Sequence, residues 1–302
     1  MMVLSGIKVN SFYQLVERLC WLSGVKDTLH FHSKKMYGNI RLAFLACYKE
    51  KLNVSYRRFV GICNENNMQR MLCIKRIPHF TTLQKFMQRI EKTVFEKLVR
   101  ACRKLLDLKD VTASVDGTGF SNTNPSHYYM KRVDGKTAKN YTKTLFLADN
   151  KTKLILNIKT HSDHASETLD FIPLVKELKS ALSCVLADKA YDSKNNRRYC
   201  WDNNIEVHIP VREWPQQGQG YCLKPFLKSK YRKKAAKLFD KQKYNYRALI
   251  ESVNSAIKRT LGGYVCSKRA DNQQKQATIK AIAYNIELIS RTIKIRLYIN
   301  CQ

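Results

Sequence analysis

The chain has 302 residues and sets 55 lysines and arginines against 24 aspartates and glutamates, a formal net charge of +31 with histidine neutral; a field of that size attracts polyanions, of which nucleic acid is the commonest in a cytosol. Hydrophobic residues at 44% and aromatics at 10% supply a core, which excludes wholesale disorder, and the length suits two domains or one large domain with a small one. No stretch approaches the roughly 18 uncharged apolar residues of a membrane-spanning helix, and no fixed period points to a solenoid or propeller.

At the N-terminus Lys8, Asn10, Gln14, Glu17 and Arg18 interrupt any signal-peptide core, so the protein is expected to stay in the cytosol. Ten cysteines are present without a C-x-x-C pair or histidines at zinc-ligand spacing. Reduced, mostly buried thiols are expected, not a structural zinc site. Residues 34–52, 55–66 and 82–106 carry apolar side chains at spacings of three and four, with Ser55 and Thr81 or Thr82 where N-caps belong. A basic connector ends in Ile77-Pro78-His79-Phe80, where the proline discourages helix. Lys85, Arg89 and Lys92 on the later helix fit a helix-turn-helix-like module over residues 1–109 that lays one helix in a DNA groove. A plain helical bundle accounts for the same spacing.

From residue 111 the period switches. Residues 111–120 alternate and carry an aspartate, and two β-like runs, 142–148 and 153–160, are joined by the hairpin signal Asp149-Asn150-Lys151. An amphipathic helix is expected over 166–182, with Leu169, Ile172, Val175, Leu178 and Leu182 on one stripe. A buried strand at 184–187 ends in Asp188; a helix at 193–203 and a strand at 206–211 follow. Strand, strand, strand, helix, strand, helix, strand, helix is the order of an α/β fold. It predicts a ribonuclease-H-like mixed sheet flanked by helices over 110–302, preceded by the mainly helical N-terminal domain. Residues 212–234 read as a basic loop, followed by a helix from about 235 or 244 to 261 and a final helix over 272–294.

Three acids stand where burial makes a carboxylate costly unless it is paired or holds a cation. Asp116 interrupts an apolar-alternating strand, and Asp188 ends another. Glu251 lies on a helix whose Tyr244, Arg247, Glu251 and Lys258 share one face, while Tyr246, Ile250, Val253, Ile257 and Leu261 form a separate apolar stripe. Taken singly, turn-forming aspartates and a surface Arg247–Glu251 pair explain each feature. Taken together, two strand-end aspartates and a helix glutamate on this element order suit a two-metal phosphoryl-transfer site. Magnesium takes hard oxygen ligands, and a few carboxylates plus a substrate phosphate hold a pair of ions. His161, Asp163 and His164 are read as caps of the following helix more readily than as metal ligands. Tyr128, Tyr129, Lys131, Arg132 and Trp214 are possible DNA contacts, with ordinary packing as the alternative for the tryptophan.

Asp116-Gly117-Thr118, Ala187-Asp188-Lys189-Ala190-Tyr191-Asp192 and the spacing Tyr-x2-Arg-x3-Glu-x6-Lys at 244, 247, 251 and 258 resemble the DDE transposases of bacterial and archaeal insertion sequences. The last pattern is that family's YREK signature, matched at every position. The resemblance covers roughly residues 110–295 and, more weakly, the Ile77 to Leu83 region. It implies transposition on the element's terminal inverted repeats, with Asp116, Asp188 and Glu251 as catalytic ligands of two Mg²⁺ ions, replaceable by Mn²⁺. It also implies that Tyr244, Arg247 and Lys258 grip DNA phosphates, that a homodimer assembles on double-stranded DNA, and that the protein is cytoplasmic and nucleoid-associated. The span from Asp188 to Glu251 is too short for the large β-rich insertion that some members carry. A nuclease or resolvase would share the acids without joining strands, and a DNA-binding derivative would need no divalent ion.

Overall fold

The structure, a computed structural model, describes residues 9–28, 36–122, 141–162, 167–212 and 230–299, with the side chains described from 11 to 292 within those spans. They fall into two compact units, one built from Met1–Leu106, Gly119–Thr142 and Ile257–Gln302, the other from Asp107–Thr118 and Lys143–Ala256.

The first unit is helical: α1 (Val9–Leu22), α2 (Asn39–Leu52), α3 (Tyr56–Glu65), α4 (Met68–Met71), α5 (Phe80–Arg89) and α6 (Lys92–Leu105). Phe12, Val16, Leu19 and Cys20 recur on one face of α1 and are fully buried. Sequence reasoning tested that segment only as a secretion signal and so passed over the helix. The single helix expected over 82–106 is two. Ile90 and Glu91 are extended, with ψ of 135° and 144°, because the buried stripe Leu83-Phe86-Met87-Ile90 and the stripe Phe95-Leu98-Val99-Cys102 are out of phase on a continuous helix. Two extended residues bring both stripes to the core.

The C-terminal helix Ala270–Ile299 packs on α6, α2 and α1, so it belongs with the N-terminal helices and not with the sheet. It buries polar as well as apolar side chains, including Thr278, Lys280 and Asn285. Lys280 Nζ lies 3.4 Å from Glu50 Oε2 and donates to the Leu261 carbonyl. Glu50 also takes Lys49 Nζ at 2.7 Å and the Gln276 amide at 3.0 Å. Burial pushes Lys280 below the usual lysine range while Glu50 opposes that shift. A buried charge is tolerated only when it is paired in this way.

The second unit is built on a five-stranded sheet, β1 (Val111–Ser121), β2 (Tyr141–Asp149), β3 (Ile155–His161), β4 (Leu182–Ala187) and β5 (Glu206–His208), in the order β3-β2-β1-β4-β5. The β2/β3 pair is antiparallel; β1/β4 and β4/β5 are parallel. This is the ribonuclease-H-like arrangement expected from the element order. The hairpin turn is held by Asp149, whose carboxylate accepts from the backbone of Lys151 and Thr152. Helix α7 (Glu167–Lys176) is shorter than expected and places Phe171, Leu174 and Val175 inward. Leu169 is 77% exposed and lies off the buried stripe. Helix α8 (Lys194–Asp202) is N-capped by Ser193, whose side chain accepts from the Asn196 amide.

The loop after β4 is anchored by a buried ion pair. Arg197 Nε donates to Asp192 Oδ1 at 2.8 Å, its Nη2 donates to the Ile209 carbonyl at 2.7 Å, and the Arg212 amide donates to Asp192 Oδ2 at 2.9 Å. Both side chains are almost wholly buried. Replacing Arg197 by alanine should cost about 2–4 kcal/mol, read by urea denaturation, because the buried Asp192 then keeps only Arg232 Nη2, at 3.3 Å, as a cationic partner among the described residues. The double variant Arg197→Met with Asp192→Leu should lose less than Arg197→Ala alone; a larger loss would contradict this account.

Candidate active site

The ladder between β1 and β4 fixes the first two acids. Val115 pairs with Ala187 as its last register pair, and the residues that follow are Asp116 and Asp188. Neighbouring strands lie about 4.8 Å apart, so the parallel register sets these residues side by side at the same end of adjacent central strands. Asp188 also caps a short 3-10 turn, Lys189–Tyr191, accepting from the Lys189 amide at 2.6 Å. The turn leads into Asp192, the residue clamped by Arg197.

Glu251 arrives from a helical path expected as one helix and found in pieces: α9 (Lys230–Leu238), α10 (Lys241–Asn245), a 3-10 turn Tyr246–Ala248 and α11 (Leu249–Leu261). Asp240 caps α10 by accepting from the Gln242 and Lys243 amides. Tyr244 therefore lies in α10, Arg247 in the tighter turn, and Glu251 and Lys258 in α11. Ile250, Val253, Ile257 and Leu261 are buried as the apolar stripe predicts, but Tyr246 is 61% exposed because the 3-10 turn rotates it off that stripe. Lys258 continues the face of Glu251 two turns along α11.

Arg247 links the acids electrostatically. Its Nη2 donates to Glu251 Oε1 at 2.8 Å, and its Nη1 lies 3.9 Å from Asp116 Oδ1. Desolvation works against its charge, but Tyr244, Asp116, Glu251 and Asp188 outweigh it and hold the guanidinium more firmly protonated. The three carboxylates do not crowd one point. Among the described residues, only Cys184, Glu206 and His208 bring three ligand atoms within 4.8 Å of one another. Of these, Glu206 and His208 are engaged in hydrogen bonds of their own. The Asp240 amide donates to His208 Nδ1, so the ring proton sits on Nε2, 2.9 Å from Glu206 Oε1, and both Glu206 oxygens take Lys243 Nζ.

Sequence reasoning missed two members of the site. Asn254 donates to Asp116 Oδ2 at 2.8 Å while its buried Oδ1 has no protein partner. Its place three residues after Glu251 and seven after Arg247 puts it on the same helix face, a spacing signal present in the chain. Glu167 gave no such signal, since only the fold brings the start of α7 to the strand ends. A Cβ at Gly117 would stand 2.8 Å from Glu167 Oε1, and Lys143 Nζ pairs with that oxygen at 3.1 Å. Burial raises Tyr191, and Glu167 and Asp116 add to that shift. His161 Nε2 lies 2.8 Å from Asp170 Oδ2 on α7. Asp163, His164, Tyr128, Tyr129, Lys131, Arg132 and Trp214 lie outside the described residues.

Burial pushes Asp116 up to about 6; Arg247 and the Gly117 amide oppose the shift, while Glu167 and Glu251 add to it. A carboxyl raised above its ordinary 3.8 keeps its proton longer when folded, so its contribution to stability is full below about pH 4 and is lost as pH rises through 6. Asp116→Asn should therefore be more stable than the parent chain at pH 7, by on the order of 3 kcal/mol at about 1.4 kcal/mol per pKa unit. The gap should close by pH 4. Urea denaturation in chelator at the two pH values measures it, and an equal gap at both would exclude a raised Asp116.

No curated protein sequence matches the chain. Among solved structures, the cryo-EM structure of a piggyBac transposase synaptic complex with hairpin DNA is similar at 10% identity and a TM-score of 0.47, covering 94% of this chain and 72% of that one. Residues 107–286, more than half of the chain, match the family described as the transposase DDE domain. The chain, with paired aspartates at its strand ends and a helix glutamate beside them, belongs to that family.

Proposed function

We propose that this chain binds the terminal inverted repeats of a mobile element and cleaves and joins DNA strands there, as a YREK-type transposase of a prokaryotic insertion sequence. The observation that carries this reading is that Arg247 meets both Asp116 and Glu251, while the β1/β4 register sets Asp188 beside Asp116 one step beyond its last pair. The donor set fits Mg²⁺. Its oxygens are hard, burial together with Glu167 and Glu251 raises Asp116, a shift that a cation would oppose, and the buried Asn254 Oδ1 lacks a protein partner. Carboxylates that do not crowd one point would hold two ions more readily than one.

Asp116, Asp188 and Glu251 would hold the ions, with Mn²⁺ as a substitute. Two bound divalent ions supply activation of the attacking oxygen and stabilisation of the leaving oxygen in an in-line displacement. Arg247 orients Glu251 and, with Tyr244 and Lys258, offers donors and charge to DNA phosphates. The N-terminal helical unit supplies further basic contacts, and paired ends imply a homodimer on double-stranded DNA. No helix among the described residues is long and apolar enough to cross a membrane.

Alanine at Asp116, Asp188 or Glu251 should reduce strand nicking and joining of inverted-repeat DNA to background in Mg²⁺ or Mn²⁺. DNA affinity should stay nearly unchanged, because phosphate contacts dominate it. Full nicking by any of the three variants refutes the assignment, and a parent chain that cleaves DNA but does not join pre-cut ends to a target would point to a nuclease. Binding should weaken steeply and log-linearly with salt, by a slope of about 0.9 per neutralised phosphate.

A further inference from the structure

The helical unit contains a cavity of about 750 Å³ walled by α2, α3, α5 and the segment that enters the C-terminal helix. Its size falls within the roughly 300–1,000 Å³ of sites that enclose one small molecule. The lining mixes three kinds of group. Phe80 and Tyr264 supply ring surface, exposed Arg57 and Lys268 supply positive charge, and Gln84 and Asn272 supply amides. The Arg57 guanidinium stands 4.9 Å from the Phe80 ring centre, a cation held against an aromatic face. Tyr264 is fixed by Asn53, whose side-chain amide donates to its hydroxyl at 3.3 Å. Asn272 Oδ1 is buried with no protein partner, an acceptor left for a donor from elsewhere.

We infer that this cavity receives one unstacked nucleotide of the bound DNA. The inference rests on the reading that the chain acts on DNA, and it deepens that reading with a second nucleic-acid site. Ring surface takes the face of a base, the amides take its polar edge, and Arg57 and Lys268 take the flanking phosphate. A lipid tail would leave these amides and cations unmatched, and an acidic peptide would leave the rings unused. A base inside a duplex is covered on both faces by its neighbours, so the occupant is extrahelical: a bulged, flipped or single-stranded residue. This separates the cavity from the carboxylate site, which requires no unpaired base.

The test uses the full chain in chelator, so that no cleavage occurs, and two duplexes of one sequence and length. One is fully paired and the other carries a single unpaired 2-aminopurine. The parent chain should bind the bulged duplex about tenfold more tightly and change the 2-aminopurine emission. Phe80→Leu, Arg57→Ala and Asn272→Ala should each reduce that preference while leaving affinity for the paired duplex nearly the same. Arg57 is exposed, so its variant keeps the test valid if the Phe80 change unfolds the unit. Equal affinity for the two duplexes in the parent chain, or a preference intact in all three variants, overturns the inference. Binding to neither duplex would overturn the DNA-acting reading itself, whereas binding to both with equal affinity would overturn the cavity alone.

Discussion

The parallel register between β1 and β4 is the constraint from which the rest of the site follows. Backbone hydrogen bonds align Val115 with Ala187, and that alignment makes the next residue on each strand an aspartate facing the same open end. A slip of one residue would turn one of the two to the opposite face of the sheet. Apolar burial on both sides of these central strands opposes such a slip, since Val115, Val185, Leu186 and Ala187 are all fully buried. The positions of the two carboxylates are thus held by the whole core, at no cost in flexible loop.

What remains adjustable is the third acid and the strand-end loop. Asp188 heads a turn that would be free but for Asp192, which Arg197 and the Arg212 amide fix from below. Glu251 is more than half exposed, and its position is set by Arg247 within the same helical path. Burial raises Asp116 first, Glu167 and Glu251 add to the shift, and the Arg247 guanidinium opposes it.

The strands and the acids on them were legible in the sequence because period-two patterning and turn chemistry are local signals. The hairpin at Asp149, the caps at Ser55 and Ser193 and the stripe Ile250-Val253-Ile257-Leu261 all follow from neighbours a few residues apart. The break at Ile90-Glu91 was not legible, since it arises from a phase mismatch between two stripes that each look helical. The division of the Tyr244 to Leu261 path was hidden for a similar reason: helical spacing cannot tell an α-turn from the 3-10 turn at Arg247. Glu167 and Lys143 joined the site through tertiary contact alone, whereas Asn254 stood at readable spacing beside Glu251 and was passed over because amides attract less notice than acids. The placement of Ala270–Ile299 among the N-terminal helices depended on contacts nearly two hundred residues away in sequence, such as Lys275 Nζ to the Met87 carbonyl.

The outermost strand on one side of the sheet, β5, has only three residues, and the other margin, β3, carries Lys159 and His161. A short border presents few unpaired amides and carbonyls, and a lysine on a border disfavours pairing with another strand. Two copies of this chain are therefore discouraged from joining sheet to sheet into fibrils, even at the local crowding produced when many basic molecules gather on one polyanion. The margins that build the fold also keep such gatherings reversible.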